Sequence, residues 1–330
     1  NERLWLPGKG HWAEYQDFMG HKRVHESAAV WTIYHAIDSE TANPFQAYQA
    51  TRYIDTAIPH IPVTAHGLKE NGYATIATTN WLPYSWSVNN IAFAEVMHTA
   101  LSYFQAGRAE AGYKLLKSSV LDGMYLGDSP GNFGQISFYD AARGECYRDF
   151  GDPIGVASRV LIQGLFGILP DALNQQIILR PGFPDDWDKA SVSTPDISYR
   201  FTRKEDTDTY HITQRFQTPL HPVLQINARK EKIRSVKVNG VPATWQSIES
   251  AHGYPLLSIQ AEGTSSTTIT IEWEGASLHT LAVQELVIAS NGKLALQIPS
   301  GASISQVYDP QSVLAKHTVE ATAFNAQLKG

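Results

Sequence analysis

The chain has 330 residues, and its 26 Lys and Arg against 32 Asp and Glu give a formal net charge of −6. It has no basic tract, so a nucleic-acid partner is not expected, because binding to a phosphate backbone needs clustered cations. Every apolar run is shorter than the roughly 18 residues of a membrane-spanning helix, so no membrane span is predicted. The single cysteine, Cys146, excludes an internal disulfide framework and a thiolate-rich zinc site.

The first half of the chain, residues 1–170, has the periodicity of helices joined by long, aromatic-rich loops. An apolar stripe within 24–38 predicts the first helix. Asn43-Pro44 predicts the start of the second, because Asn is a favoured N-cap and Pro is favoured at the first helical position. Apolar residues then recur at helical spacing until Pro59 ends the pattern.

The next two helices are predicted to form a helical hairpin. The third is predicted over Ser87–Gln105 and is closed by Gly107, and a further amphipathic stripe follows after a very short turn. A fifth helix is predicted from Asp152 to Gly167. This half therefore predicts a helical-hairpin domain over 1–170.

After Pro170 the period changes from helical to strand-like. Ile197, Tyr199 and Phe201 alternate with polar residues, and similar short runs follow them. Asn239-Gly240 lies between two apolar runs, as the turn of a two-residue hairpin does.

Short strands at this spacing are typical of a β-sandwich or a barrel. A β-sandwich domain is therefore predicted over 171–276. Asn291-Gly292 separates further apolar runs, which predict an additional β segment, or the start of a further small β module, over 277–330.

Common cofactor and nucleophile motifs are absent from the sequence. There is no phosphate-binding loop, no GxGxxG, no GxSxG nucleophile elbow and no HExxH zinc helix. His21, His25 and His35 lie near one another but lack a standard ligand spacing, so neither a metal nor another cofactor is expected.

Acidic and aromatic residues are instead concentrated in loops. The three clusters are Gly10–Asp17 with His25-Glu26 behind it, Asn80–Asn90, and Asp128–Asp152. Aromatic faces stack on sugar rings, and amides and carboxylates bind hydroxyl groups. A pair of carboxyl groups hydrolyses glycosides, since one protonates the leaving oxygen while the other activates water or attacks the sugar carbon. The clusters therefore predict a carbohydrate substrate.

From this chemistry, Glu14 or Asp17 is predicted to be the general acid and Glu145 the general base, with Asp149 as its alternative. The predicted substrate-binding residues are Trp12, Trp81, Trp86 and Tyr139 as aromatic platforms, and Asn132 and Arg148 as ligands of hydroxyl groups or of an acidic sugar.

Structural interpretations of the same residues stay open. Glu14 and Asp17 fit capping or solvent-facing positions at a helix start, and Asp152 before Pro153 fits an N-cap. The remaining structural alternatives are core packing for Trp81 and Trp86 and an ion pair between Arg148 and Asp149.

Two further segments carry a resemblance to a known class of enzymes. Gly155–Ala172 (GVASRVLIQGLFGILPDA) and Ile178–Trp187 (ILRPGFPDDW) resemble the junction between helical toroid and β-sandwich in six-hairpin glycosidases, the class that includes α-L-rhamnosidases. The resemblance implies a partial α/α toroid of helical hairpins followed by an antiparallel β-sandwich. It also implies an active site in the loops at one end of the toroid, with an acidic pair and an inverting outcome. No catalytic motif of that class matches this sequence residue by residue.

A complete toroid has more helical hairpins than the sequence predicts here. The chain is therefore expected to lack an N-terminal segment, which would be a partner from the same protein, unless the helical domain is reduced. Glycoside hydrolysis is the expected function, in a periplasmic or extracellular location. The alternatives are a non-catalytic carbohydrate-binding fragment and a polysaccharide lyase, for which His11, His25, Tyr15 and Arg148 would supply the base and the cation.

Overall fold

The structure is a computed structural model. It describes residues 3–64, 67–70, 72–81, 90–125, 151–248, 253–278, 286, 288–298, 303, 304, 307, 309 and 313–330, and the backbone alone of 126, 138–140 and 145–147.

Five α-helices lie in the described part of the first half. They are α1 (Val30–Asp38), α2 (Pro44–Ala57), α3 (Phe93–Gln105), α4 (Ala109–Val120) and α5 (Asp152–Arg159). π-Helical segments continue α4 over Leu121–Leu126 and α5 over Val160–Leu165, and a 3-10 turn covers Ala172–Asn174.

Short strands lie before and between these helices. They are β1 (Trp5–Leu6), β2 (His11–Trp12), β3 (Tyr15–Gln16), β4 (Val24–His25), β5 (His60–Pro62), β6 (Ala74–Ile76), β7 (Asn90–Ala92), β8 (Phe138–Asp140) and β9 (Glu145–Tyr147). The pairs β1–β2, β3–β4 and β5–β6 are two-stranded, and β7–β8–β9 form a three-stranded sheet.

The second half begins with two larger sheets. Their strands are β10 (Ile168–Asp171), β11 (Gln176–Leu179), β12 (Lys189–Ser193), β13 (Ile197–Lys204), β14 (Thr207–Gln214), β15 (His221–Asn227), β16 (Lys230–Val238), β17 (Val241–Pro242), β18 (Gln246–Ile248), β19 (Leu256–Gln260) and β20 (Ser266–Ser277). One sheet has the order β10-β11-β15-β19-β18 and the other has the order β12-β13-β14-β20-β16-β17.

Both larger sheets bury side chains in a single hydrophobic core. Ile177 and Leu224 enter it from the first sheet, and Tyr199, Ile271 and Trp273 enter it from the second. The alternation predicted around Tyr199 is confirmed, since the side chains of Ile197, Tyr199 and Phe201 are buried.

The last described strands form a sheet of their own. They are β21 (Lys293–Gln297), β22 (Leu314–Val319) and β23 (Ala323–Leu328), in the order β21-β23-β22.

The predicted fold class, a partial α/α toroid followed by an antiparallel β-sandwich, is wrong. The chain is 37% strand and 26% helix, and the helices of the described residues are short and form no extended toroid. Segments assigned to helices or loops pair as strands instead. Asn90–Ala92, inside the predicted helix Ser87–Gln105, is extended because it pairs with Phe138–Asp140. The larger sheets are not purely antiparallel either, because β11 pairs with β15 in parallel.

Several local predictions are confirmed. The Asn43 side chain accepts a hydrogen bond from the backbone N–H of Gln46, and the Gln46 side chain accepts one from the backbone N–H of Asn43. Helix α2 therefore begins with a capping box. Asn239 and Gly240 have φ angles of 52° and 82°, and Val238 pairs with Val241 across them. Both central residues of a type I′ turn need positive φ, which is why Asn-Gly favours this hairpin.

Helices α1, α3 and α5 end beside one another. The Asp38 carboxylate, at the end of α1, accepts from both terminal nitrogens of Arg159, at 2.8 and 2.6 Å. It also accepts from the Gln105 amide, at 2.9 Å, at the end of α3. Burial opposes the charge on Asp38, yet the hydrogen bonds from Arg159 and Gln105 outweigh it and hold the pKa of this carboxyl below its usual value.

The link between the two halves depends on Gly167, which has a φ of +65°. A Cβ atom at this position would lie 1.9 Å from the Arg180 carbonyl oxygen, which belongs to the backbone. The Arg180 backbone N–H donates to the Gly167 carbonyl at 2.8 Å, so the two segments are held at this separation.

Substituting Gly167→Ala is therefore expected to lower the free energy of unfolding by about 3 kcal/mol, because the new methyl group meets backbone in a left-handed conformation. The control is Gly155→Ala in α5, where a Cβ meets nothing within 4 Å. Higher helix propensity should make that variant more stable, by up to about 1 kcal/mol. Chemical denaturation measures both, and equal stability of the two variants would contradict this account of Gly167.

Candidate functional site

The starts of α1, α3 and α5 converge at one end of the helical region, which we call the helix-start end. The Val30 backbone N–H, at the start of α1, donates to the Thr78 carbonyl at 3.0 Å. The Thr78 backbone N–H donates to the Asn90 carbonyl at 3.2 Å, three residues before α3 begins. Asp152, the first residue of α5, lies close enough for its charge to act on Glu95 in the first turn of α3. Since these helices also end together, they run in parallel.

A carboxyl group is held between α1 and α3 at this end. The Tyr34 hydroxyl donates to Oε2 of Glu95. Burial raises the pKa of Glu95 and the nearby charge of Asp152 raises it further, while the hydrogen bond from Tyr34 and the charge of His35 oppose the shift. Burial and the Glu95 carboxylate also raise the pKa of Tyr34 far above its usual value. Glu95 therefore keeps its proton to a higher pH than an exposed glutamate does.

Two histidines complete the Glu95 group, which consists of Tyr34, His35, Glu95, His98 and Asp152. The Tyr34 ring lies 4.5 Å from the His35 ring and 4.7 Å from the His98 ring, measured between centroids. Burial lowers the pKa of His98, and the charges of Arg159 and His35 lower it further against the opposing effect of Asp38. His98 is therefore neutral near pH 7 and adds no positive charge beside Glu95.

Of the predicted acids, Glu14 is held by three donors at the start of α1. Its carboxylate accepts from the Ala29 backbone N–H at 2.8 Å, from the Trp31 indole at 2.7 Å and from the Thr32 hydroxyl at 2.6 Å. Ala29 is the N-cap residue of α1 and has no side-chain cap of its own. Glu14 thus satisfies groups that a helix start leaves unpaired. The catalytic role predicted for Glu14 stays a prediction beside this structural role.

The other predicted acids lie apart from the Glu95 group or outside the described side chains. Asp17 pairs with Nε2 of His25 at 3.0 Å, and the Tyr15 ring stacks on His25. The backbone of Glu145 lies in β9, opposite Asp140. This places it two strands from β7, which leads directly into α3. Asp149 lies outside the described residues.

The predicted sugar platforms are distributed in the same way. Trp12 is buried in the hydrophobic core, with its ring centroid 4.6 Å from that of Trp5. Trp81 is partly exposed, and its indole donates to the Ser27 carbonyl at 3.1 Å, near the start of α1. The Tyr139 backbone pairs with Ile91 in β7, at the helix-start end. Trp86, Asn132 and Arg148 lie outside the described residues.

Sequence reasoning missed Tyr34, Glu95 and His98 as a group. The available signal is a polar stripe on an otherwise apolar helix, since Glu95, His98 and Gln105 follow one another at helical spacing on α3. The N-cap interpretation of Asp152 is also wrong, because α5 has Gly151 at its N-cap and no side-chain cap.

The described residues contain no group of three or more His, Cys, Asp and Glu side chains arranged to hold a metal ion. Within the same residues, no helix combines the length and the apolar character needed to cross a membrane.

Comparisons with known proteins find distant structural neighbours. No protein-family model and no curated protein matches the chain. It is similar to an alpha-L-rhamnosidase from Dictyoglumus thermophilum, with a TM-score of 0.34 and 11% identity over 55% of this chain and 21% of that one. It is also similar to a protein named glycoside hydrolase, with a TM-score of 0.34 and 10% identity over 91% of this chain and 62% of that one. The chain spans less than two thirds of either protein, and similarity this low indicates only a loose relationship.

The anchoring role of Glu14 predicts that Glu14→Gln lowers the free energy of unfolding by about 1–2 kcal/mol. The NH2 group of the new amide would face groups that themselves donate hydrogen bonds, so at least one of the present bonds would be lost. The matched control is Asp17→Asn, which removes only a partly exposed ion pair and should cost less than about 0.5 kcal/mol. Thermal or urea denaturation compares the two. A Glu14→Gln protein of unchanged stability would count against the anchoring role and in favour of a free, functional carboxylate.

Proposed function

We propose that this chain hydrolyses glycosidic bonds in a plant or microbial polysaccharide or oligosaccharide, with Glu95 as the general acid. The observation that carries the proposal is the environment of the Glu95 carboxyl, which is largely buried, has a raised pKa and bonds to Tyr34 through Oε2. A general acid must hold its proton near the working pH, and enzymes achieve this by burying a glutamate.

The hydrogen bond from Tyr34 also selects the oxygen that gives the proton away. Because the Tyr34 hydroxyl donates to Oε2, the acidic proton of Glu95 belongs on Oε1. No donor among the described residues contacts Oε1, so this oxygen is left for the glycosidic oxygen of a substrate. In the proposed reaction the proton moves from Oε1 to that oxygen while the bond to the sugar carbon breaks.

A second carboxylate must take the proton of the attacking water. Asp152 is exposed and its charge acts on Glu95, so the two acids occupy contrasting environments at one end of three helices. We propose Asp152 as the general base, beside Glu145 and Asp149, which the sequence also suggests. The proposed outcome is inversion, which requires the two carboxyl groups to lie about 6.5–9.5 Å apart. The anomer formed first, observed by NMR, distinguishes inversion from retention.

The substrate is proposed to lie across the helix-start end. Trp81 is the most suitable platform among the described candidates, because its ring is partly exposed near the start of α1. The sugar-binding roles suggested for Trp12, Trp86, Tyr139, Asn132 and Arg148, and the acidic roles suggested for Glu14 and Asp17, remain proposals.

A polysaccharide lyase is less well supported by the Glu95 group. A lyase needs a tyrosine or histidine base, whereas burial and the Glu95 carboxylate raise the pKa of Tyr34. A phenol that holds its proton this firmly is a poor base. The products also differ, since a lyase leaves a double bond that absorbs in the ultraviolet and a hydrolase does not.

The role of Glu95 is tested with aryl glycosides of several sugars and of graded leaving groups. We expect Glu95→Gln to lower kcat/KM about 10³-fold for poor leaving groups, because no proton is delivered to the departing oxygen. Leaving groups that depart without a proton should show a much smaller loss. The control is Glu110→Gln in the first turn of α4, where an amide oxygen can still accept from the Asp185 backbone.

Three outcomes would contradict this proposal. Equal losses for all leaving groups would exclude Glu95 as the general acid. Turnover of no glycoside by the unaltered chain, or products that absorb in the ultraviolet, would contradict hydrolysis itself.

The raised pKa of Glu95 also predicts the alkaline side of the pH profile. Below that pKa the acid is protonated and active, and kcat/KM falls as the pH rises through it and the proton is lost. The midpoint should therefore lie above the value of about 4.3 for an ordinary glutamate. With a good leaving group, the pH profile of Glu95→Gln should not show this fall in kcat/KM at alkaline pH. Its persistence in that variant would assign it to another residue.

A further inference from the structure

A separate cavity lies beside α2, and we call it the α2 cavity. Its volume is about 470 Å³, within the range of about 300–1,000 Å³ that small-molecule sites occupy. Its walls include His11, Glu26, Gln49, Tyr53 and Asn80. The face of α2 that packs into the core carries other residues, among them Ala47, Ala50 and Ile54. No member of the Glu95 group lines the cavity.

The positively charged side chains at the α2 cavity already have carboxylate partners. Lys9 lines it and forms an ion pair with Glu26, which also lines it. Arg52 lines it as well, and Nη1 of Arg52 lies 2.7 Å from Oδ2 of Asp55, an oxygen that Arg108 also contacts at 2.6 Å. An anionic ligand would therefore compete with Glu26 and Asp55 for its charge partners, and ion pairs that are already formed oppose this exchange.

Hydrogen-bond acceptors in the wall lack donors. The buried Oδ1 of Asn80 has no hydrogen-bond partner among the described residues. His11 is buried and its Nδ1 lies 2.8 Å from the Trp12 carbonyl oxygen, which can only accept, so Nδ1 carries the hydrogen. Burial lowers the pKa of His11, so the ring is neutral and Nε2 is an acceptor. No donor among the described residues bonds to Nε2.

The amide of Gln49 adds both a donor and an acceptor. It lines the α2 cavity and forms no hydrogen bond with the described part of the chain. Hydrogen-bonding groups that stay unpaired near an apolar wall cost free energy. A ligand that supplies hydrogen-bond donors to them recovers part of this cost. The Tyr53 ring, whose centroid lies 3.9 Å from that of His11, supplies an aromatic surface beside them.

We propose that the α2 cavity binds a neutral sugar, at a site distinct from the Glu95 group. A sugar hydroxyl both donates and accepts, so it satisfies Nε2 of His11, Oδ1 of Asn80 and the Gln49 amide together. Cations that already pair with carboxylates match a ligand without charge. Aromatic and amide groups arranged around a small cavity are suited to such a ligand, because they combine apolar contact with directed hydrogen bonds.

The test is binding of the purified chain to an array of neutral and uronate-containing oligosaccharides, followed by calorimetry with each neutral sugar that binds. We expect Gln49→Leu and Asn80→Leu each to weaken binding of a neutral sugar about tenfold, the effect of one lost hydrogen bond. Gln246→Leu is the matched control, because Gln246 is an exposed residue of β18 that does not line the cavity. Its dissociation constant should equal that of the unaltered chain.

Three results would overturn the proposal. The first is that the chain binds no neutral sugar, and the second is that it prefers uronates. The third is that both leucine variants fold and still bind the neutral sugar as the unaltered chain does. Hydrolysis of aryl glycosides is measured on the same preparations. Hydrolysis without sugar binding at the cavity would then count against the cavity alone, and binding without hydrolysis would count against the proposed function alone.

Discussion

The arrangement of α1, α3 and α5 depends on the double hydrogen bond from the Arg159 guanidinium to the Asp38 carboxylate. It joins the ends of α1 and α5, and Gln105 adds the end of α3 to the same carboxylate. Paired hydrogen bonds from a guanidinium to a carboxylate fix orientation as well as distance. Because the three helices run in parallel, fixing these ends together also limits how far their starts can separate. The Glu95 group and this ion pair are thus linked through the same three helices.

Carboxyl groups serve different purposes at the helix-start end. Glu14 is surrounded by donors, Glu95 is buried against Tyr34, and Asp152 is exposed. The contacts of Glu14 favour a fixed structural role, while burial favours proton retention at Glu95. Acid and base functions are commonly divided in this way, by placing chemically similar groups in contrasting surroundings. The division depends on tertiary packing, since each carboxyl is brought there by a different part of the chain.

Local features of this fold could be predicted from the sequence, whereas long-range pairing could not. The Asn43 N-cap and the Asn239-Gly240 turn depend on neighbouring residues, and both were predicted. Asn90–Ala92 has an apolar, helix-compatible sequence, yet it is extended because of a partner strand more than forty residues away. One of the predicted loop clusters contains Trp81, which lies near the start of α1. The clusters missed Glu95, because a polar residue within an apolar helix gives no sign of what faces it until α1 is placed beside α3.

Parallel alignment of α1, α3 and α5 also aligns their peptide dipoles. Each helix start carries a partial positive charge of about half an elementary unit, and three such ends add together here. Two of these starts are met by exposed or hydrogen-bonded carboxylates, Glu14 beside α1 and Asp152 in α5, while Glu95 in α3 keeps its proton to a higher pH. At a distance, the positive field of the helix starts and the negative field of the carboxylates largely cancel. This end therefore exerts little long-range electrostatic attraction on an approaching molecule. Capture of a neutral polymer there would depend on short-range contact, and its association rate would vary little with ionic strength.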